Sequence, residues 1–209
     1  MQPEVLLEQI MGYTIGASEM IPDIAQKIGQ NYGLALLPYG PHFYTGILQS
    51  SGYLLLPEKK SVLFLIPQQT KANEVYQLTG TIGPILGRSR DFHETSEWNT
   101  TYQPDIEDLG TILQHLAFLH TTTQTETISC LAIGDTLTLA KQKKLTTYLT
   151  NCLPTTNIVF LSNFTTNFKE QAPDLLMLAA TPGLGVIQSF QSVAKKIGRK
   201  PEIIAYTSI

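Results

Sequence analysis

Six polar side chains near the predicted ends of strands are the residues of this chain best suited to chemistry. They comprise two phenols, an imidazole, two amides and a hydroxyl: Tyr39, His42, Tyr44, Gln69, Asn163 and Thr166. Ligands of open α/β sheets bind outside the carboxyl ends of the strands. Aromatic faces with amide and hydroxyl groups suit a cleft for a peptide, an aromatic compound or a partner's side chain. The alternative is that these groups only hydrogen-bond to one another and fill the space.

The elements that must position these residues alternate between strands and helices along the chain. Short apolar runs predict strands at 34–37, 61–66, 127–133, 157–161 and 203–206. Helical spacing predicts helices at 3–11, 19–29, 44–56, 105–120, 136–149 and 173–197, the last one broken at 181–183. This alternation predicts a three-layer α/β/α architecture with a central mixed or mostly parallel sheet, built as one domain over 1–209.

Several local features refine this assignment. Pro22 suits the first turn of the second helix, and residues 67–104 read as long loops with one or two short strands. Asp135 follows a predicted strand and could serve a site, but an aspartate at this place more often caps a helix. Ser162 and Asn163 are typical of turns and caps. Cys130 lies in a predicted strand, where we expect a buried, unreactive thiol.

Composition excludes several classes of function. The formal net charge is −3 and basic clusters are small, so we expect no nucleic-acid binding. No apolar stretch approaches the ~20 residues that span a bilayer, and no secretory signal is visible at the N-terminus. The sequence thus predicts a cytoplasmic protein without membrane contact. Its oligomeric state stays open.

Several segments resemble motifs of the Memo family, a relative of the class III extradiol dioxygenases. Residues 38–46, P-Y-G-P-H-F-Y-T-G, resemble the family's P-H-A-G-Y-x-Y-S-G motif. Further similar segments follow in the family's order at 62–70, 83–87, 109–119, 161–167 and 205–209. Residues 1–33 have no clear match. The resemblance implies a Memo-like α/β fold and relates the chain to AmmeMemoRadiSam system protein B.

The resemblance implies a metal site whose ligands this chain lacks. The matched positions of the family's ligands hold Tyr39, Gln69 and Thr166, and an acid and a histidine of its helix motif become Leu109 and Gly110. Divalent iron, copper or zinc prefers imidazole, thiolate or carboxylate over a neutral phenol, amide or hydroxyl. We therefore expect no metal and no cofactor at these positions.

Other histidines leave an alternative open. His42 and His93, with an acid such as Asp91, could form a relocated metal site of an extradiol-dioxygenase-type oxidoreductase. Against this, the histidine spacings match no recognised ligand set, and His115 and His120 are five residues apart on different faces of one helix. Surface or hydrogen-bonded imidazoles are the simpler interpretation.

Three functional hypotheses follow from the sequence. The first is a Memo-like protein without the family's metal site, which acts as a non-catalytic module that binds a small ligand or a protein. The second is the metal-dependent oxidoreductase with a relocated site. The third is a structural subunit whose partner covers an apolar surface, which the low charge favours. The ligand, the partner and the physiological process are not specified by the sequence.

Overall fold

The computed structural model of the chain describes residues 3–28, 33–39, 42–68, 73–85, 88–98, 100–102, 106–122, 124–162 and 184–199. The helices are α1 (Pro3–Ile28), α2 (His42–Leu54), α3 (Ile106–Thr122), α4 (Leu139–Cys152) and α5 (Leu184–Lys196). The strands are β1 (Leu34–Pro38), β2 (Ser61–Gln68), β3 (Val75–Leu78), β4 (Thr81–Ile85), β5 (Arg88–Asp91), β6 (Thr101–Tyr102), β7 (Thr127–Gly134) and β8 (Thr156–Ser162).

Six of the strands form one central sheet in the order β1-β8-β2-β7-β3-β6. The neighbours among β1, β8, β2 and β7 are parallel, whereas β3 is antiparallel to β7 and parallel to β6. Strands β4 and β5 form a separate antiparallel pair. The prediction of an α/β fold with a mostly parallel mixed sheet is therefore confirmed.

Helices cover both faces of the sheet, which explains why its central strands are nearly continuous apolar runs. On the first face, α2 and α3 contribute Tyr53 and Phe118 to a core that includes Phe64 of β2. On the second face, α4 and α5 contribute Leu149 and Val186 to another core. Cys130 is buried in the first core, as expected for an unreactive thiol in a strand.

The opening of the chain differs from its prediction. A single helix, α1, replaces the two predicted helices and continues through Pro22, which therefore does not lie in a first turn. The glycines and hydroxyl residues between 12 and 18 lower helix propensity and suggested a break. Ile10, Tyr13 and Ala17 nevertheless form one apolar face across that segment, so packing outweighs local propensity.

The segment 67–104 was predicted to contain one or two short strands and instead contributes β3, β4, β5 and β6. These strands have two to five residues each, and the pairing of β4 with β5 shifts register between Ile82 and Ile85. Strands so short and irregular lack the sustained alternation by which a strand is detected in sequence. The predicted number of strands was too low for this reason.

Helix α4 begins three residues later than predicted, and Asp135 is not its cap. The N-cap is Thr138, whose side chain accepts a hydrogen bond from the backbone N–H of Lys141. The Thr138 N–H is itself held by Asn73 Oδ1 at 2.7 Å, which fixes the entry into the helix. Ser162 likewise belongs to a strand rather than to a turn.

Some predicted elements lie outside the described residues. These are the helical segment 173–183, including the break at 181–183, and the final strand 203–206. Within the described part of the chain, no helix combines the length and apolar character that crossing a membrane requires.

Candidate functional site

The carboxyl ends of β1, β8 and β2 lie side by side at one edge of the sheet. Pro38 at the end of β1 pairs with Ser162 at the end of β8, and the backbone N–H of Tyr39 donates to the Ser162 carbonyl at 2.9 Å. On its other side, β8 pairs in parallel with β2, which ends at Gln68. The strand ends that immediately precede Tyr39, Asn163 and Gln69 in sequence are therefore neighbours.

A crevice is expected between β1 and β8 because the described helices that follow these strands pack on opposite faces of the sheet. After β1 the chain enters α2, which packs on the first face, whereas α5, the next described element after β8, packs on the second face. In open α/β sheets this divergence creates the place where ligands bind. The ends of β1 and β8 are thus the best-defined candidate site in the described residues.

The structure describes part of the predicted set at this edge. Tyr39 is half-buried and packs against the core of the first face. His42 begins α2 and Tyr44 lies in its first turn, which positions their backbone just after β1, while their side chains are outside the description. Gln69, Asn163 and Thr166 lie outside the described residues. The backbone thus places three of the six residues just after the carboxyl end of β1.

A buried polar cluster lies behind Tyr39 and holds the end of β1. His115 of α3 is fully buried, with Nδ1 2.7 Å from Tyr53 Oη and Nε2 3.4 Å from Gln49 Nε2. Gln49 Nε2 also donates to the carbonyl of Pro38 at 3.2 Å. The last residue of β1 before the crevice is therefore tied to both α2 and α3.

Burial fixes the protonation state of this histidine. Desolvation lowers the pKa of His115 to about 3, against the opposing effect of a hydrogen bond with the Pro38 carbonyl. Burial also raises the pKa of Tyr53 well above its ordinary value. Both groups are neutral at physiological pH, so the cluster is a hydrogen-bonded unit without charge. His120 is exposed, which confirms that these two histidines of α3 occupy different faces.

The residues of the alternative metal site are not brought together. Phe92, between Asp91 and His93, bridges to Ile128 near the amino end of β7, whereas His42 follows the carboxyl end of β1. The register through β8 and β2 aligns Leu36 of β1 with Leu131 of β7. At ~3.3 Å per residue, the carboxyl end of β1, which precedes His42, lies about 17 Å farther along the strands than the Phe92–Ile128 bridge beside His93.

The side chains at the metal-site positions that the sequence resemblance implies, those of Tyr39, Gln69 and Thr166, do not suit a divalent metal. A phenol, an amide and a hydroxyl carry neither the negative charge nor the strong lone pair that divalent iron, copper or zinc requires. In the described part of the chain, no group of three or more histidine, cysteine, aspartate or glutamate side chains could hold a metal ion.

Sequence reasoning missed Gln49 and assigned Ser162 to a turn, although both lie near the ends of β1 and β8. Gln49 was not singled out, although Gln49 and Tyr53 are four residues apart in an apolar helix and therefore share a face. The hydroxyl of Ser162 is buried and has no hydrogen-bond partner among the described residues. Ile158 and Phe160 belong to the second core, so strand alternation directs Ser162 toward the α4 and α5 layer.

No protein-family model matches the chain, and no curated protein matches it.

Proposed function

We propose that this protein is a non-catalytic, Memo-like binding domain whose ligand occupies the crevice between the carboxyl ends of β1 and β8. The observation that carries the proposal is that these two adjacent parallel strands are followed by described helices on opposite faces of the sheet, with the half-buried Tyr39 directly after β1. The resemblance of residues 38–46 to a family motif at the corresponding strand end supports the same location.

The residue types around the crevice define the class of ligand. Tyr39 supplies an aromatic face, and the predicted set adds imidazole, amide and hydroxyl groups without a carboxylate or a lysine. Such groups bind uncharged aromatic compounds, or the aromatic and amide groups of a peptide, by stacking and neutral hydrogen bonds. A small aromatic molecule or a peptide segment of a partner protein is the expected ligand.

The buried cluster behind Tyr39 supports a binding role rather than a catalytic one. Among the histidines whose side chains the structure describes, His115 alone is fully buried, and its neutral ring contacts Tyr53 and Gln49. It therefore serves to fix the backbone before Tyr39. A rigid site requires less ordering when a ligand binds.

A ligand-observed NMR screen of neutral aromatic fragments and short peptides tests the proposal. We expect saturable binding that Tyr39→Ala abolishes and Tyr39→Phe largely retains, because the ring supplies most of the contact. Tyr148→Ala removes another half-buried tyrosine, on α4, and serves as the matched control. Binding that is unaffected by Tyr39→Ala would place the ligand elsewhere.

Metal analysis of protein purified without chelator tests the competing chemistry. We expect iron, copper and zinc to remain far below one equivalent. Stoichiometric metal that is lost in His42→Ala would contradict a non-catalytic domain without the family's metal.

A further inference from the structure

Helix α1 has two apolar faces, and only one of them is covered. Its inner face packs against α2 and α3: the ring of Tyr13 lies 6.3 Å from that of Phe118, centroid to centroid. A Cβ added at Gly46 of α2 would lie 2.5 Å from the Tyr13 ring, so the two helices approach closely. The opposite face carries Met11 and Ile15, which are 52% and 62% exposed.

The exposed face forms a continuous surface together with part of α2. We define the α1 apolar surface as Met11, Gly12, Ile15, Gly16 and Ile47. A Cβ added at Gly16 would lie 4.0 Å from Cδ1 of Ile47, which places this exposed side chain beside the helix, and the space around Gly12 is open. Four large apolar side chains of the described residues are exposed, and three belong to this surface.

The net negative charge of the chain arises from the same helix. Helix α1 contains four acidic residues and one lysine, so its net charge of −3 equals that of the whole chain. The exposed Glu8 and Glu19 follow the spacing of Met11 and Ile15 along one face, three or four residues apart, and flank them at either end. The surface is therefore apolar at its centre and acidic at its ends.

We propose that the α1 apolar surface binds a cationic amphipathic helix of another protein. A helix that is apolar on both faces is normally buried, and an apolar face with acidic flanks is complementary to an apolar face with basic flanks. About three helical turns separate Glu8 from Glu19, which corresponds to ~16 Å. A partner helix would present apolar residues at i, i+3, i+4 and i+7 between lysines or arginines.

The charge distribution argues against other occupants. A second copy of α1 would bring Glu8 and Glu19 toward identical carboxylates, and like charges repel at short range. Anionic lipid headgroups and nucleic-acid phosphates would be repelled for the same reason. This surface does not involve Tyr39 or the crevice, so the inference stands independently of the proposed function.

A designed peptide provides the probe. We would measure fluorescence anisotropy of a labelled amphipathic peptide of about 18 residues, with leucine at the i, i+3, i+4 and i+7 positions and lysine elsewhere, on addition of the full chain. We expect saturable binding that Met11→Ser with Ile15→Ser weakens at least about tenfold. Glu8→Gln with Glu19→Gln should weaken it about threefold or more, as should an increase from ~0.05 to ~0.5 M NaCl.

Two matched variants distinguish binding at the α1 apolar surface from nonspecific binding elsewhere on the protein. Leu139→Ser removes the exposed apolar side chain that lies elsewhere, and Glu94→Gln removes an exposed acid elsewhere. Both should bind the peptide as the unmodified protein does. All exchanged side chains are exposed, so thermal unfolding should be unchanged and loss of binding will not reflect misfolding.

Four results would overturn the proposal. They are the absence of peptide binding, equal binding of a leucine and glutamate peptide, Ile15-dependent dimers in light scattering, and Ile15-dependent binding to phosphatidylserine vesicles. The last two would assign the surface to a second copy or to a membrane.

Discussion

Tyr53 Oη lies 2.7 Å from His115 Nδ1, and both side chains are fully buried in the core between the sheet, α2 and α3. The ring of Tyr53 also stacks on that of Phe118, with centroids 6.3 Å apart and planes inclined by 11°. His115 Nε2 also lies 3.4 Å from Gln49 Nε2, which itself donates to the carbonyl of Pro38. This pair therefore links two helices to the end of β1.

The stability of the protein should decrease as the pH is lowered, because His115 is buried in its neutral form. The pKa is about 3 in the folded state, against 6.5 for an exposed histidine, so between these values the unfolded chain binds the additional proton. The contribution of His115 to the free energy of unfolding is fully present above pH ~6.5. It is lost as the pH falls toward ~3, by up to about 1.4 kcal/mol per pH unit. Urea unfolding between pH ~7 and ~5 measures this slope.

The control for this prediction is His115→Gln, which retains hydrogen-bonding capacity but does not titrate. This variant should be less stable at neutral pH and should lose most of the slope between pH ~6.5 and ~5, where carboxylates contribute little. An equal slope in both proteins would show that His115 is not the group responsible.

Removal of the Tyr53 hydroxyl should destabilise the protein, because it leaves a buried nitrogen of His115 unpaired. Tyr53→Phe preserves the stacked ring but leaves His115 Nδ1 without its partner. We expect a loss of about 1–3 kcal/mol in the free energy of unfolding. Tyr148→Phe affects a tyrosine that is only half-buried and should cost less. Chemical denaturation of both variants checks the difference, and equal losses would contradict the role of the Tyr53 hydroxyl.

The sequence predicted the central strands and the sheet edge at which they end, but not the buried cluster of His115, Gln49 and Tyr53. The strands at 61–66, 127–133 and 157–161 were recognised because burial on both faces leaves an apolar run such as Val62 to Ile66. The position of Tyr39 at a strand end followed from the same pattern. The contact of His115 with Gln49 and Tyr53 joins residues more than 60 positions apart, which no local periodicity encodes. Helix α1 was divided incorrectly because the packing of Tyr13 and Ala17, rather than propensity, holds its centre together.

Two helical glycines should respond oppositely to the same substitution. A Cβ at Gly185 of α5 would lie 2.1 Å from the carbonyl oxygen of Gly134, a backbone atom that cannot rotate away. Gly185→Ala should therefore displace α5 from the end of β7 and destabilise the protein by about 2 kcal/mol or more. Gly110 of α3 has no atom within 4 Å of an added Cβ. Gly110→Ala should stabilise the protein by about 0.5–1 kcal/mol through helix propensity.

Thermal unfolding monitored by circular dichroism measures both glycine variants. The same sign of change in the two variants would contradict the close approach of α5 to Gly134.

Lys59, which lies two residues before β2, should stabilise the C-terminus of α4. Its Nζ donates to the carbonyl of Leu153 at 2.5 Å and to that of Thr156 at 3.5 Å, and partial burial lowers its pKa. A cation at this end of a helix satisfies free carbonyls and opposes the helix dipole. Lys59→Met keeps most of the apolar stem and should lower the free energy of unfolding by about 1 kcal/mol.

Lys60→Met is the control. It removes the neighbouring exposed lysine, which pairs with Glu126, and should leave the unfolding midpoint nearly unchanged. Hydrogen exchange is the more specific measurement. Lys59→Met should accelerate exchange of the Leu153 and Thr155 amides at the end of α4. Uniform acceleration across the sheet would instead indicate a general loss of stability.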